Sequence, residues 1–352
     1  MKRWQDWPAP VLRALRAGGV IPAHPLALDA ARSLDLKRQR ALTRYYVDAG
    51  AGGLAVGVHT TQFAIRDVGL YRPVLECAVQ TARAWTDRPL VMIAGLAGRT
   101  AQAAAEARLA RDIGYHAGLL SLAAMKGASE DELIAHAETV AREIALVGFY
   151  LQPAVGGIVL PPSFWRRFAA IENVVAIKIA PFSRYRTLDV VRGVVESGAA
   201  DRVSLYTGND DHIVLDLLTP FRIAGGDGAP TIRIVGGLLG HWSVWVRKAV
   251  ELLDRIKSAI AADTAPADLL ALDSQVTDCN AAIFDVANNF HGVIAGCHEI
   301  LRRQGLLAGI WCLDPAETLG PGQNEAIDRI HRAYPHLNDD DFVRANLNRW
   351  LS

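Results

Sequence analysis

The sequence predicts a (β/α)8 TIM barrel followed by a helical C-terminal extension. Short apolar runs that resemble strands alternate with helix-like runs eight times, and most connections are short. This alternation favours a closed barrel over an open doubly wound sheet. No GxGxxG motif follows the first strand, which argues further against a dinucleotide-binding fold. After about residue 241 only helix-like segments remain.

Each predicted element has its own local signal. The strands are predicted at residues 20–23, 52–57, 90–95, 117–122, 147–153, 174–180, 204–207 and 232–235. Asp35 is predicted to cap the helix that runs to Ala49, and Ser129 with Glu132 forms a predicted capping box. Helices of the extension are predicted at 244–260, 269–289 and 293–304. We therefore expect a barrel over residues 1–240 and a helical region packed on it over residues 241–352.

Composition limits the classes of partner. The 352 residues contain 37 Lys+Arg and 37 Asp+Glu, so no net field attracts nucleic acid or an anionic membrane. The cysteines lack any metal-ligand spacing, which predicts reduced and mostly buried thiols; they are Cys77, Cys279, Cys297 and Cys312. Residues 1–8 contain no apolar stretch, and no later run reaches about 18 apolar residues. We expect a cytoplasmic protein without a membrane partner.

The most informative residue is Lys178, which lies within the apolar run Val174–Ala180. Burial disfavours the charged ammonium, so the pKa of such a lysine falls and its neutral amine becomes a nucleophile. This chemistry predicts that a carbonyl substrate is held as a Schiff base. The alternative is a lysine at a strand end that is solvated or paired with a carboxylate.

Strand alternation suggests a partner for this lysine. If Val175, Ile177 and Ile179 face the surrounding helices, Ala176, Lys178 and Ala180 face the barrel interior. In the preceding strand, the same reasoning assigns Val147, Phe149 and Leu151 to the helix side. Gly148 and Tyr150 would then face the interior, close to Lys178. A structural tyrosine bonded to a backbone carbonyl is the other interpretation of Tyr150.

Several motifs resemble one enzyme superfamily. Tyr150-Leu-Gln-Pro153 and Val175-Ala-Ile-Lys178 match a Tyr-x-x-Pro motif and a Schiff-base lysine motif, with the tyrosine and the lysine 28 residues apart. Looser matches are residues 57–63 to a Gly-Thr-Thr-Gly-Glu turn, residues 207–210 to Ser/Thr-Gly-x-Asp, and residues 303–307 to a late Leu-Gly-Leu segment. Over about residues 18–320 the chain resembles the dihydrodipicolinate synthase / N-acetylneuraminate lyase superfamily of class I aldolases, as a divergent member.

The resemblance implies a mechanism and a set of site residues. Lys178 would attack the ketone of a 2-oxo acid to form a protonated imine, and Tyr150 would shuttle protons. Backbone N–H groups around Thr60 and Thr61 would hold the substrate carboxylate, although both threonines also fit an ordinary turn. Gly208 would line the same pocket. The resemblance further implies no metal or organic cofactor and a homo-oligomer, either a tetramer or a dimer.

Departures from the superfamily pattern argue against one substrate. Val155 replaces the arginine found five residues after the tyrosine in true dihydrodipicolinate synthases, and residues 122–125 lack their tyrosine. We therefore do not expect aspartate semialdehyde to be the substrate. The threonine pair of the superfamily's turn can be aligned in two ways. It corresponds either to His59 and Thr60 or, after a shift of one residue, to Thr60 and Thr61. His59 is accordingly a candidate acid or base, or a surface polar group.

Two further constellations have competing interpretations. The glycine-rich segment 236–240 follows the predicted eighth strand, so backbone N–H groups near Gly237 would bind phosphate, form a tight turn or shape the pocket. Asp210, Asp211 and His212 resemble metal ligands, but adjacent aspartates diverge in a turn. We favour a cap for the following helix and expect no metal site.

The sequence thus predicts a Schiff-base lyase or aldolase acting on a small 2-oxo acid, either pyruvate-like or a sugar acid. A dehydratase or hydratase-aldolase that uses the same imine is the alternative enzyme. A non-catalytic paralogue that binds a keto acid or a sugar acid is the alternative from another class. Reaction direction and oligomeric state remain open at this level.

Overall fold

Eight parallel strands form a barrel in the computed structural model, which describes residues 3–223 and 231–352. The strands are β1 (Val20–Pro22), β2 (Gly53–Val56), β3 (Val91–Leu96), β4 (Ala117–Leu120), β5 (Ala145–Leu151), β6 (Val174–Ala180), β7 (Ser204–Thr207) and β8 (Ile234–Leu239). They pair in sequence order from β2 to β8, and β8 pairs with β1. A parallel bridge between Ala23 and Ala55 brings β1 against β2. The predicted TIM barrel is confirmed.

Thirteen α-helices occur within the described residues. They are α1 (Ala9–Ala17), α2 (Leu36–Ala49), α3 (Tyr71–Trp85), α4 (Thr100–Ile113), α5 (Glu130–Ala141), α6 (Pro162–Ala170), α7 (Arg184–Glu196), α8 (Ile213–Leu218), α9 (Val246–Ala261), α10 (Ala267–Ile283), α11 (Val293–Arg303), α12 (Gln323–Ala333) and α13 (Asp340–Trp350). Helix α9 contacts β1 and α2, so it takes a place in the ring of helices around the barrel. Helices α10 to α13 pack outside that ring, chiefly on α8 and α2.

Two apolar clusters fill the molecule. One lies inside the barrel and includes Val147, Phe149 and Ala180. The other lies between the strands and the helices and continues into the C-terminal helices. Helix α1 contributes Leu15 to the interior cluster, and the Tyr206 hydroxyl donates to the Leu15 carbonyl at 2.6 Å. The amino-terminal helix therefore packs against the barrel interior at the end opposite the strands' carboxyl termini.

The helix caps predicted from the sequence are confirmed at the starts of two helices, α2 and α5. Asp35 accepts a hydrogen bond from the Arg38 N–H, and Ser129 and Glu132 form the predicted capping box. All four cysteines are buried and unpaired. Within residues 3–223 and 231–352, no helix combines the length and apolarity that a membrane span requires.

Two predicted boundaries are wrong. The eighth barrel strand begins at Ile234 and extends to Leu239, whereas Thr231–Ile232 pairs with Phe221–Arg222 in a separate antiparallel ribbon. The predicted helix 269–289 ends at Ile283, and a 3-10 turn follows at Val286–Asn288. Asp285 and Asn289 have positive φ angles of 55° and 54°, which an α-helix cannot accommodate. The predicted division at residue 240 stays a prediction.

Candidate active site

A cavity opens at the carboxyl ends of the barrel strands, the usual position of active sites in this fold. The space it encloses, including its open mouth, is about 580 Å3. The lining residues are Ala23, Val58, His59, Thr60, Phe149, Leu151, Gln152, Val155, Lys178, Ala180, Phe182, Gly208, Asp210, Gly240, Phe284 and Val293. Most of these side chains are apolar, and the titratable ones are few and close together.

Lys178 is the central titratable residue of this cavity. Only 8% of the residue is exposed, and Nζ lies 4.5 Å from the centroid of the Phe149 ring. Nζ forms no hydrogen bond or ion pair with any described residue. The alternative of a solvated lysine is therefore wrong, and the carboxylate of Asp210 acts on Lys178 through its charge without direct bonding. Burial lowers the pKa of Lys178, and the nearby charge of Asp210 opposes this in part. The result is an amine that is neutral more often than an ordinary lysine.

The space around Lys178 depends on small neighbours. Ala180 lines the cavity with Lys178, and Ile177 and Ile179 face the helices, as strand alternation predicts. Val175 is an exception, because the β5–β6 pairing shifts by a residue next to it and places Val175 in the interior. A Cβ on Gly208 would lie 2.6 Å from Lys178 Cε. The glycine therefore lets β7 approach the lysine side chain closely.

Asp210 is the second ionisable group of the cavity. One carboxylate oxygen, Oδ1, accepts the His241 N–H at 2.8 Å, and Oδ2 accepts no hydrogen bond from another described residue. Burial raises the pKa of Asp210, whereas the His241 N–H and the charge of Lys178 lower it. Asp210 can therefore hold a proton near neutral pH, in the same lining as Lys178.

The prediction that the 210–212 cluster caps the next helix is confirmed in position, but no side chain of the cluster makes a capping hydrogen bond. His212 occupies the N-cap position of α8 without a side-chain bond, and Asp273 of α10 accepts the Leu215 N–H at 3.1 Å. Asp210 is instead directed to the His241 N–H. Within the described residues, no group of three or more His, Cys, Asp or Glu side chains is arranged to hold a metal ion.

The turn after β2 places His59, Thr60 and Thr61 differently. Thr61 anchors the turn, because its hydroxyl donates to the His24 carbonyl at 2.6 Å and accepts the Gly57 N–H. Thr60 lines the cavity, and its hydroxyl donates to the Ala23 carbonyl at 2.7 Å. His59 also lines the cavity, where burial and then the charge of Lys178 lower its pKa to about 4. The imidazole of His59 is therefore uncharged near neutral pH.

Tyr150 lies outside the cavity, so its predicted orientation is wrong. Its ring packs on Trp165 of α6 at a centroid distance of 5.1 Å, and its hydroxyl contacts both the carbonyl and the N–H of Leu160. Phe149 faces the interior and is the strand partner of Lys178. Val147 and Leu151 also face the interior rather than the helices. The alternative of a structural tyrosine describes Tyr150 better.

Gly237 also lies outside the cavity. It belongs to β8 and pairs with Val20 and Thr207, so its backbone is part of the barrel sheet. A Cβ on Gly237 would lie 2.5 Å from the Trp242 ring. The glycine segment is therefore neither a phosphate-binding loop nor the predicted tight turn, and only Gly240 at its end lines the cavity.

A buried polar network fixes the turn that carries Gly208 and Asp210. Asp216 of α8 accepts hydrogen bonds from Thr207 Oγ1 at 2.6 Å and from Asn209 Nδ2 at 2.9 Å. Arg184 of α7 forms an ion pair with the same carboxylate. The network ties β7, α7 and α8 together directly behind the cavity wall.

Residues of the C-terminal region complete the cavity. Phe284 and Val293 line it, and Phe182 contacts Phe290 edge-on at 6.0 Å. Sequence reasoning missed Phe284, Val293, Phe149 and Gln152, and it assigned Asp210 a different role. A polar residue just after a barrel strand was the available signal for Asp210.

Known proteins resemble this chain along most of its length. A model described as the dihydrodipicolinate synthetase family matches residues 16–236. N-acetylneuraminate lyase 2 of Escherichia coli O6:H1 is 24% identical over 326 residues, which cover 92% of this chain and 95% of that relative. The structure of N-acetylneuraminate lyase from Fusobacterium nucleatum has a TM-score of 0.70 at 18% identity, covering 90% of this chain and 99% of that one.

A second solved structure, the chloride-inhibited dihydrodipicolinate synthase from Acinetobacter baumannii complexed with pyruvate, has a TM-score of 0.72 at 18% identity. It covers 90% of this chain and 98% of that one.

At these identities the solved structures establish the fold. The fold, the cavity and the matches together define an aldolase-type lyase. Because the family model covers more than half of the residues, the chain belongs to the dihydrodipicolinate synthetase family.

Proposed function

We propose that this lyase forms a Schiff base between Lys178 and a small 2-oxo acid of the pyruvate type. The observation that carries the proposal is a buried Lys178 on the wall of the cavity, unpaired among the described residues and with its pKa lowered by burial. A neutral Nζ attacks the C2 carbonyl, and loss of water leaves a protonated imine. In an aldol cleavage this imine accepts the electron pair of the C3–C4 bond as that bond breaks. In a dehydration it accepts the pair left when a proton is removed from C3, and the hydroxyl then leaves with the C–O pair and is protonated to water.

In this proposal Asp210 transfers the protons, because the Tyr150 hydroxyl is hydrogen-bonded to the backbone of Leu160 outside the cavity. Asp210 Oδ2 is unbonded among the described residues, and burial raises the pKa of its carboxyl group. A carboxyl group with a raised pKa can give a proton to the departing water and take one from a substrate hydroxyl. His59, neutral in the same cavity, is the second candidate for this role.

The substrate carboxylate is assigned to the turn after β2. The Thr61 N–H donates to the Val58 carbonyl, whereas the N–H groups of His59 and Thr60 have no acceptor among the described residues. Free N–H groups next to a cationic imine favour a carboxylate ligand. Gly208 lets the imine carbon approach β7, because a side chain there would displace Lys178.

Reductive trapping tests the proposal. Incubation with pyruvate and borohydride is expected to add the reduced keto acid to the peptide that contains Lys178. Lys257 provides a matched control, because burial also lowers its pKa but its Nζ donates to the Gly18 carbonyl outside the cavity. Lys257→Arg is expected to retain labelling, and Lys178→Arg to lose it. Labelling that persists in Lys178→Arg contradicts the proposal.

We further propose that the enzyme acts without a metal or an organic cofactor, as a cytoplasmic homo-oligomer. Family resemblance supports the cofactor and assembly proposals, and the four unpaired cysteines support a reducing compartment. Turnover that survives exhaustive treatment with a chelator tests the first point. Light scattering coupled to size-exclusion chromatography tests the assembly, and a monomeric mass at working concentration contradicts it.

A further inference from the structure

The walls of the cavity beyond Lys178 are mostly apolar, and Gln152 contributes an uncharged amide to the lining. The residues that form them follow or end the strands, or come from the C-terminal region; they are Leu151, Val155, Phe182, Phe284 and Val293. Among the described lining residues, Lys178 and Asp210 are the only groups that carry a charge near neutral pH, because the pKa of His59 is about 4. Both charged groups are assigned to the imine chemistry. No cation remains in this lining to bind a second carboxylate.

We propose that the substrate's distal part, beyond C4 of the 2-oxo acid, is an aryl or branched alkyl group. This inference rests on the proposed function and specifies its substrate class. Gln152 can bond one hydroxyl, but the other hydroxyls of a polyhydroxylated chain, or the charge of a carboxylated one, would lie without partners against Phe182, Phe284 and Val293, which is unfavourable. An aryl group in the same place is favoured in proportion to the apolar surface that it removes from water.

The proposed cleavage balances for a 4-hydroxy-2-oxo acid with a phenyl group on C4. Lys178 holds C2 as the protonated imine, and the ionised Asp210 takes the proton of the C4 hydroxyl. The C3–C4 bond then breaks, its electron pair forms the enamine, and benzaldehyde leaves. The enamine takes a proton at C3, and water hydrolyses the imine to release pyruvate and the free amine. No oxidant or reductant is required.

The test compares two pyruvate-releasing substrates on the intact protein. The first is the phenyl 4-hydroxy-2-oxo acid, and the second is a six-carbon 2-oxo acid with hydroxyls on its last three carbons. The expected result is a kcat/KM for the phenyl substrate that is higher by at least about 10-fold, the usual range of discrimination in an apolar pocket. Pyruvate release, measured for both substrates, gives the two rate constants.

A charged substitution supplies the matched control. Val155→Arg adds a cation to the cavity wall, whereas Val159→Arg adds the same cation to a valine that is 61% exposed and outside the lining. Val155→Arg is expected to lower the phenyl preference by at least about 10-fold, and Val159→Arg to leave the ratio unchanged.

Two outcomes separate this inference from the proposed function. If the hydroxylated acid is preferred, or if neither acid is cleaved, while pyruvate still labels Lys178, the inference is overturned and the imine chemistry stands. If pyruvate fails to label Lys178, both are overturned.

Discussion

At the scale of single residues, the environment of Lys178 determines the chemistry. The residue lies over the Phe149 ring and beside Gly208, with no bonded partner among the described residues. Burial lowers the pKa of Lys178, and Asp210 raises it through its negative charge. Because imine formation requires the neutral amine, the rate of labelling is expected to fall as the pH drops through the lowered pKa of Lys178.

Asp210→Asn tests how the two groups interact. Removing the carboxylate removes the charge that raises the pKa of Lys178, so the acidic limb of the labelling rate is expected to move to lower pH. Turnover is expected to fall at all pH values because the proposed proton carrier is lost. The measurement is the initial rate of reductive labelling by pyruvate against pH. An acidic limb that stays in place, or moves to higher pH, contradicts this interaction.

Tyr150→Phe distinguishes the structural tyrosine from a catalytic one. Loss of the hydrogen bonds to Leu160 is expected to cost about 1–2 kcal/mol of unfolding free energy and to leave kcat/KM nearly unchanged. A proton shuttle would instead lose about 100- to 10,000-fold in rate. Urea denaturation and pyruvate release measure the two effects. Tyr71→Phe is the control, because Tyr71 also bonds a backbone carbonyl, that of Gly95, outside the lining.

At the scale of elements, the cavity depends on the turn between β7 and α8. Its backbone brings Gly208 against Lys178 and Asp210 into the lining, and the network around Asp216 holds that backbone. Asp216 is fully buried, and its ion pair with Arg184 joins α7 to α8. Elements that are distant along the chain therefore set the position of the reactive groups.

Asp216→Ala is expected to destabilise the protein by about 2–4 kcal/mol, because it leaves the buried Thr207 and Asn209 without their shared acceptor, whereas the charge of the 39% exposed Arg184 is screened by water. It is also expected to slow labelling of Lys178, since the turn loses its anchor. Chemical denaturation and the labelling rate give the two readouts. Asp341→Ala breaks an exposed ion pair with Arg344 and is expected to cost less than about 1 kcal/mol. Equal losses in the two variants would refute this account of the network.

At the scale of the whole molecule, the barrel and the C-terminal helices share one core. The cluster between strands and helices runs from α2 into α13, and Phe284 and Val293 bring the C-terminal region into the cavity wall. Trp350 is fully buried, packs on Tyr45 at a centroid distance of 5.4 Å and donates to Asp48. The C-terminal region is thus linked both to the site and to the stability of the barrel.

Trp350→Ala is expected to lower the unfolding free energy by about 3–5 kcal/mol, the usual cost of removing a buried large aromatic side chain. Labelling of Lys178 at low temperature is expected to remain, because Trp350 is not part of the lining. Tyr185→Ala is the control, since Tyr185 is 84% exposed and should change stability by less than about 0.5 kcal/mol. Thermal unfolding of the three proteins tests the prediction, and a wild-type midpoint for Trp350→Ala would contradict it.

Sequence pattern alone was enough to predict the barrel, the buried lysine and the capped starts of α2 and α5. Each of these depends on signals that are local along the chain, such as alternating apolar runs, a single charge within one of them, or a capping side chain. Lys178 could be identified in this way, because burial in an apolar strand disfavours the charged form of a lysine.

Only the tertiary structure decided which face of β5 meets the cavity. Barrel strands are apolar on both faces, so their sequence carries no alternation that distinguishes the interior from the helix side. The pairing of Phe149 with Lys178, which excludes Tyr150 from the cavity, arises from the register between β5 and β6. The contributions of Asp210 and Phe284 likewise depend on contacts between segments far apart in the chain. Such contacts follow from packing, which local sequence does not encode by itself.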